Sequence, residues 1–259
     1  MELQAPSHWR AIDFISDLHL QATELKTLQA WQHYLQSTTA DAVFILGDLF
    51  EVWVGDDAID APSSFERLCT QTLRKASGRL ALYILHGNRD FLMGQALMQA
   101  AGATLIADPT VLHFADQRYL LTHGDALCLE DTAYLAFREQ VRSAAWQIAF
   151  LEKPLSERQA LARQMRSQSE LRKRSGVEYA DVDAGAADRL LLDSGAETMI
   201  HGHTHKPNHH ALGGTRSRWV LSDWDLDHPP ARADVLRIAQ GQPQPYRLDP
   251  VTLGPKTPG

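Results

Sequence analysis

Five short apolar runs, each ending at a side chain able to bind a cation, constrain this chain more than any other feature. They are 12–16 before Asp17, 42–46 before Gly47-Asp48, 80–85 before His86-Gly87-Asn88, 118–122 before His123, and 198–200 before His201-Gly202-His203. Turn residues bound each run, so all five read as strands. Helix-like stretches lie between them, with Leu25, Leu28 and Leu35 giving one apolar face and Phe65, Leu68 and Leu73 another. Alternating strand and helix predicts an α/β fold, in which loops beyond the carboxyl ends of strands converge on one crevice.

The chain has 259 residues, 44% of them hydrophobic, enough for one large core carrying an insertion. A formal charge of -7 disfavours a role in coating nucleic acid. Cys69 and Cys128 form no C-x-x-C pairing, which argues against a disulfide framework or a thiolate zinc site. Residues 1–13 lack the basic start and apolar run of a signal peptide, and no apolar stretch approaches the roughly 20 residues that span a bilayer. A cytoplasmic location is expected.

Residues 129–183 depart from the strand pattern. Tyr134, Phe137, Trp146, Ile148, Phe150 and Leu151 are followed by Arg158, Arg163, Arg166, Arg172, Lys173 and Arg174. This predicts a helical lid inserted in a domain of residues 1–240, with basic side chains near anionic headgroups. The proline-rich segment 241–259 is expected to be an extended or disordered tail.

In Asp17-Leu18-His19 and His203-Thr204-His205, two donors at alternate positions face the same way. Asp48 offers two oxygens, Asn88 an amide oxygen, His123 an imidazole, and Arg89 a planar fork suited to phosphate. Any one of these is an ordinary strand-end residue when taken alone. Five together, each after a strand, point to a metal site. The spacing of His86, His201, His209 and His210 leaves them behind the ligands or on the surface.

D-x-H, G-D, G-N-R-D, H-G-D and G-H-T-H in this order resemble the metallophosphoesterase superfamily. The resemblance implies a sandwich of two β-sheets flanked by helices, and two cations. One would take Asp17, His19 and His205, the other Asn88, His123 and His203, with Asp48 bridging. Oxygen and imidazole donors suit Mn²⁺, Fe²⁺ or Zn²⁺, and the nearer relatives imply two Mn²⁺ per chain.

Residues 44–57, FILGDLFEVWVGDD, and 87–92, GNRDFL, are more specific. They resemble the UDP-2,3-diacylglucosamine pyrophosphatases of lipid A biosynthesis, a likeness running over most of 11–228. It implies hydrolysis of UDP-2,3-diacylglucosamine to UMP and 2,3-diacylglucosamine 1-phosphate at the cytoplasmic face of the inner membrane, with no nucleic acid and no obligate protein partner. Asn88, Arg89 and His123 would carry catalysis. Asn88, Arg89, Asp131, Tyr134, Ser169, Lys173 and His203 would touch substrate. The pattern departs from the family after Ser169, where Lys173 falls near an Asn and Gly176 near a Lys, and at Ser222-Asp223-Trp224-Asp225, where Trp-His is usual. Two alternatives compete with this reading: another metal-dependent phosphomonoesterase or phosphodiesterase, and a non-catalytic scaffold of the same fold. The scaffold predicts missing ligands, whereas all seven positions are filled.

Overall fold

The structure is a computed structural model that describes residues 1–174 and 180–256; the side chains of 167–174, and with them Ser169 and Lys173, lie outside the described set. One sheet runs β12 (Tyr246–Leu248), β11 (Val235–Ala239), β2 (Ala11–Ile15), β3 (Ala42–Leu46), β4 (Ala81–Leu85), β5 (Thr104–Leu105). The other runs β1 (Glu2–Gln4), β6 (Thr110–Phe114), β7 (Gln117–Thr122), β8 (Thr198–His201), β10 (Ser217–Val220), β9 (Asn208–Ala211). The five expected strands are β2, β3, β4, β7 and β8, and the parallel neighbours β2, β3 and β4 bring the first three candidate loops to one end.

Burial on both faces explains the unbroken apolar runs. Ile12, Phe14, Phe44 and Leu46 face the opposing sheet, where they meet Leu112, Leu121 and Ile200. Ile15, Val43 and Ile45 face the helices and pack with Trp31, Tyr34 and Leu35 of α1 (Leu25–Ser37). Two expected helix contacts are wrong in detail. Leu25 is 56% exposed and Leu68, on α2 (Phe65–Ser77), is 43% exposed. Leu28, Leu35 and Leu73 are buried as expected and Phe65 packs against the core; Trp31 on α1 and Cys69 and Ala76 on α2 complete the buried faces, from which Leu25 and Leu68 are turned away.

After α3 (Gln95–Ala101), the segment expected to be helical forms α4 (Thr132–Arg142), α5 (Ala144–Leu151) and α6 (Leu155–Arg174), and α7 (Ala184–Ser194) leads back to β8. Asp131 and Ser143 cap α4 and α5 by accepting from the backbone of Tyr134 and Trp146. The segment after residue 240 is not a free tail. Its β12 pairs antiparallel with β11, buries Leu248, and carries Arg247 to the Asp234 carboxylate at 2.6 Å. Strand pairing there satisfies backbone groups that proline content alone suggested would stay in water.

Candidate metal centre

The turns after β2, β3 and β8 place five of the expected ligands in the left-handed backbone region: Asp17, His19, Asp48, His203 and His205 have φ of 54°, 48°, 50°, 68° and 55°. Such a backbone costs non-glycine residues on the order of 1 kcal/mol or more each, and it persists where surrounding structure over-determines it. Here the turns are stitched to one another. Asp17 N donates to Gly47 O at 3.1 Å, His19 N to Asp48 O at 3.0 Å, and His203 N to Asp17 Oδ2 at 2.9 Å. Asp90, buried, accepts from the amides of Leu49, Phe50 and Gly87, so it braces the turn and reaches no ligand side chain. A Cβ on Gly47 would collide with the His123 ring, and one on Gly87 with the Asp48 carboxylate.

All seven expected ligands converge. Asp17, His19 and His205 offer ligand atoms within 4.8 Å of one another, and so do Asp17, Asp48 and His123. Asn88 Oδ1 lies 2.9 Å from His123 Nε2 and 3.0 Å from His203 Nδ1. The carboxylate common to both clusters is Asp17, whereas Asp48 Oδ1 accepts from Arg89 N at 2.9 Å. Asp17 Oδ1 is buried with no hydrogen-bond partner among the described residues, 3.3 Å from His205 Nε2, and His19 Nε2 faces His205 Nε2 at 3.2 Å. An orphaned buried carboxylate oxygen ringed by imidazole nitrogens fits a cation. The donor set of carboxylate, amide and imidazole fits a dinuclear site for a first-row divalent metal.

The protein's own groups leave strong fields here. Burial pushes Asp48 up to about 7, partly opposed by His123. Burial works against the charge of Asp17 too, but His205, His123 and His19 hold its carboxyl well below the usual range. His123 is lowered by burial and lifted more by Asp48, Asp17 and Asp125, reaching about 9. Burial, then the charge of His123, brings His203 down to about 3.

Around this centre the other expected site residues have partners of their own. Arg89 points its fork at Glu51, with Nη1 at 2.8 and 2.7 Å from the two carboxylate oxygens, and Nε at 3.4 Å from Asp48. Arg166 of α6 pairs with the same Glu51, whose Oε2 is 3.4 Å from His19 Nδ1. Glu51 therefore joins the site although its residue type and position, three after Asp48 in a loop, gave no separate signal. Asp131 is a helix cap. Tyr134 is brought in, its ring 6.0 Å from His203 and its hydroxyl donating to Asp125, which Arg138 also holds at 2.8 Å. Arg158 is not available to headgroups. It is buried, donating to Val54 O and pairing with Asp57, because a charge at that helix position finds acceptors beneath it. His86 meets Met93 O, His201 is buried against Arg218, and His209 stacks on Trp219.

Residues 11–207 match the family model for calcineurin-like phosphoesterases. Three curated relatives cover most of the chain. The UDP-2,3-diacylglucosamine hydrolase of Chromobacterium violaceum is 46% identical over 223 residues, 83% of this chain and 90% of that one. The protein of the same name from Bordetella pertussis is 41% identical over 245 residues, 92% and 93% of the two chains. That of Pseudomonas aeruginosa is 42% identical over 221 residues, 82% and 90%.

Proposed function

Since the chain belongs to the calcineurin-like phosphoesterases and, within them, to the UDP-2,3-diacylglucosamine hydrolases, we propose that it hydrolyses the pyrophosphate bond of UDP-2,3-diacylglucosamine, yielding UMP and 2,3-diacylglucosamine 1-phosphate. The observation that carries this is the convergence of the seven donors, one of them the orphaned Asp17 oxygen, in a chain 46% identical to a hydrolase of that name. Asp17, His19 and His205 would hold one cation and Asn88, His123 and His203 the other, with Asp48 between them. Mn²⁺ is the proposed ion, with Fe²⁺ or Zn²⁺ compatible with the same donors. When bound, such a pair polarises phosphoryl oxygens and makes water acidic enough to attack near neutral pH.

The chain's own groups prepare the rest. Arg89 and Arg166 converge on Glu51 at the edge of the centre, and a pyrophosphate displacing that carboxylate would meet two guanidiniums able to grip its oxygens. With Asn88 and His123 assigned to a cation, the Asn88 amide N–H and Tyr134 beside His203 would orient the phosphoryl group next to it. Water adds to phosphorus as the bridging P–O bond breaks, and the departing phosphate keeps the bond's electrons.

The helices over 129–183 are proposed as the lid that receives the acyl chains. Ile148, Leu151 and Phe137 are 60%, 43% and 40% exposed, while Trp146 stacks on Phe150 at 4.7 Å and packs with Phe91. The segment is pinned beside the centre by Arg142, which donates to Gly87 O at 2.8 Å. Among the described residues no helix is long and apolar enough to cross a membrane. We propose peripheral contact with the cytoplasmic face of the inner membrane, where a diacylated substrate resides. The decisive experiment compares turnover of UDP-2,3-diacylglucosamine and of an aryl phosphate with and without Mn²⁺. Mn²⁺-dependent preference for the diacylated nucleotide is expected, and preference for the aryl ester would overturn the assignment.

A further inference from the structure

His205 is 31% exposed where His19 is 16%, so packing alone does not aim its ring. Its Nε2 faces Asp17 Oδ1 at 3.3 Å, and its Nδ1 faces the other way, 3.6 Å from Asp223 Oδ2. Asp223 is itself buried, 5% exposed. Arg232 grips it, with Nε at 3.2 and 3.1 Å from its two oxygens and Nη2 at 2.8 Å. The backbone on either side is fixed as well. Trp224 N donates to Asp17 O at 3.0 Å, Ser222 Oγ to Asp223 O at 2.8 Å, and Asp225 and Arg232 exchange backbone hydrogen bonds of 2.8 Å each. The loop carrying Asp223 is thus sewn to the strand end that carries Asp17.

A carboxylate behind an imidazole favours a proton on the nearer nitrogen, which leaves the far nitrogen as a lone pair for a cation. We propose that Asp223, braced by Arg232, is a positioning residue for His205, holding its ring in the orientation and tautomer that present Nε2 to a divalent cation shared with Asp17 and His19. This rests on the metal assignment proposed above. The 3.6 Å contact is a few tenths of an ångström longer than a hydrogen bond, so it orients by charge and tightens to a bond with a small ring movement. The competing role for Asp223 is to pair with Arg232 and close the 225–232 turn, with no consequence for the cation.

Asp223→Asn separates the two, because the amide oxygen still accepts from Arg232 while the charge behind His205 is gone. Mn²⁺ titration of the wild type, Asp223→Asn, Asp223→Ala and the control Asp188→Asn, which removes the charge of another Arg–Asp pair, reads the first consequence. One of two Mn²⁺ sites should weaken roughly 10- to 100-fold in both Asp223 variants, with the other site and the control unchanged. Nitrogen-15 imidazole spectra of the Zn²⁺-loaded protein read the second. His205 should carry its proton on Nδ1 in the wild type and lose that preference in Asp223→Asn, a change that a loop-closing salt bridge would not produce. Two-ion binding and a His205 tautomer unaltered in Asp223→Asn would overturn this inference alone. A wild type that binds no Mn²⁺ would overturn the metal assignment and this inference with it.

Discussion

Asp48 and Arg89 show what a single residue contributes when its neighbours are fixed. Asp48→Ala should abolish activity and lower Mn²⁺ content more than His19→Ala, since the proposed bridging carboxylate would serve both cations and the imidazole one. Metal analysis and turnover of the two purified variants check this. Arg89→Ala and Arg89→Lys should both lose activity, because Lys keeps the charge but not the fork. Loss of one charge-assisted contact costs about 2–3 kcal/mol, roughly a hundredfold in kcat/KM if it acts in the transition state. Wild-type kinetics in Arg89→Ala would leave this side chain only its pairing with Glu51. Proton linkage follows from the same burial. Asp48 raised to about 7 and His123 raised to about 9 both hold protons that a cation must expel. Mn²⁺ affinity should therefore rise with pH up to about 9, with proton release at pH 7 visible as buffer-dependent heats of binding.

Among the elements, β2 does more than deliver Asp17. Its Asp13 is fully buried and accepts from Arg237 of β11 at 2.6 and 2.9 Å, from Tyr34 of α1 at 3.0 Å and from Thr38 at 2.7 Å. One carboxylate thus ties β11, β2 and α1 together. Asp13→Ala leaves the Arg237 guanidinium without its counter-charge, holding only the Thr38 and Thr39 hydroxyls, and should destabilise the fold by about 3–5 kcal/mol, measured by urea unfolding, while the proposed metal ligands stay intact. The helices proposed as a lid answer to a different test. Ile148→Glu with Leu151→Glu alters exposed apolar positions on α5, so it should raise KM for the diacylated substrate and leave aryl phosphate turnover unchanged. Equal effects on both substrates would show that the lid acts through the centre and not through the acyl chains.

For the whole molecule, cation binding and folding are coupled, because the site is assembled from both sheets and exists only in the native chain. At a free Mn²⁺ concentration a hundred times Kd, one site adds about 2.7 kcal/mol of stability. For a chain of this size that raises Tm by roughly 5–10 °C. Differential scanning fluorimetry with a chelator and then with excess Mn²⁺ reads it, and an unchanged Tm would contradict binding to the native state. The proposed membrane contact belongs to this scale too. The burial of Arg158 and the pairing of Arg166 with Glu51 reduce the cations free for headgroups below what the basic run suggested. Liposome sedimentation should still need anionic lipid and decline with salt.

The sequence by itself determined the strand ends and the donors placed on them. A buried strand is largely apolar, with a polar exception such as Asp13 satisfied by Arg237, Tyr34 and Thr38, and the abrupt change to Asp, Asn or His marks where it leaves the core, so period and position were both legible locally. It also carried the family, because residues 44–57 and 87–92 preserve a long run of side chains in order. What it did not carry was anything depending on which surfaces meet. Asp17 lies in both ligand clusters because two sheets bring β2 and β8 together, and Glu51 enters because Arg89 and Arg166 reach it from separate elements. Arg158 reads as a surface cation until Val54 and Asp57 are beneath it, and the proline-rich end reads as loose until β11 offers it an edge. Asp223 shares nothing in spacing with His205, yet stands 3.6 Å behind it. Local patterns encode what a segment buries, whereas partners across tens of residues are fixed only when the packed core sets their distance.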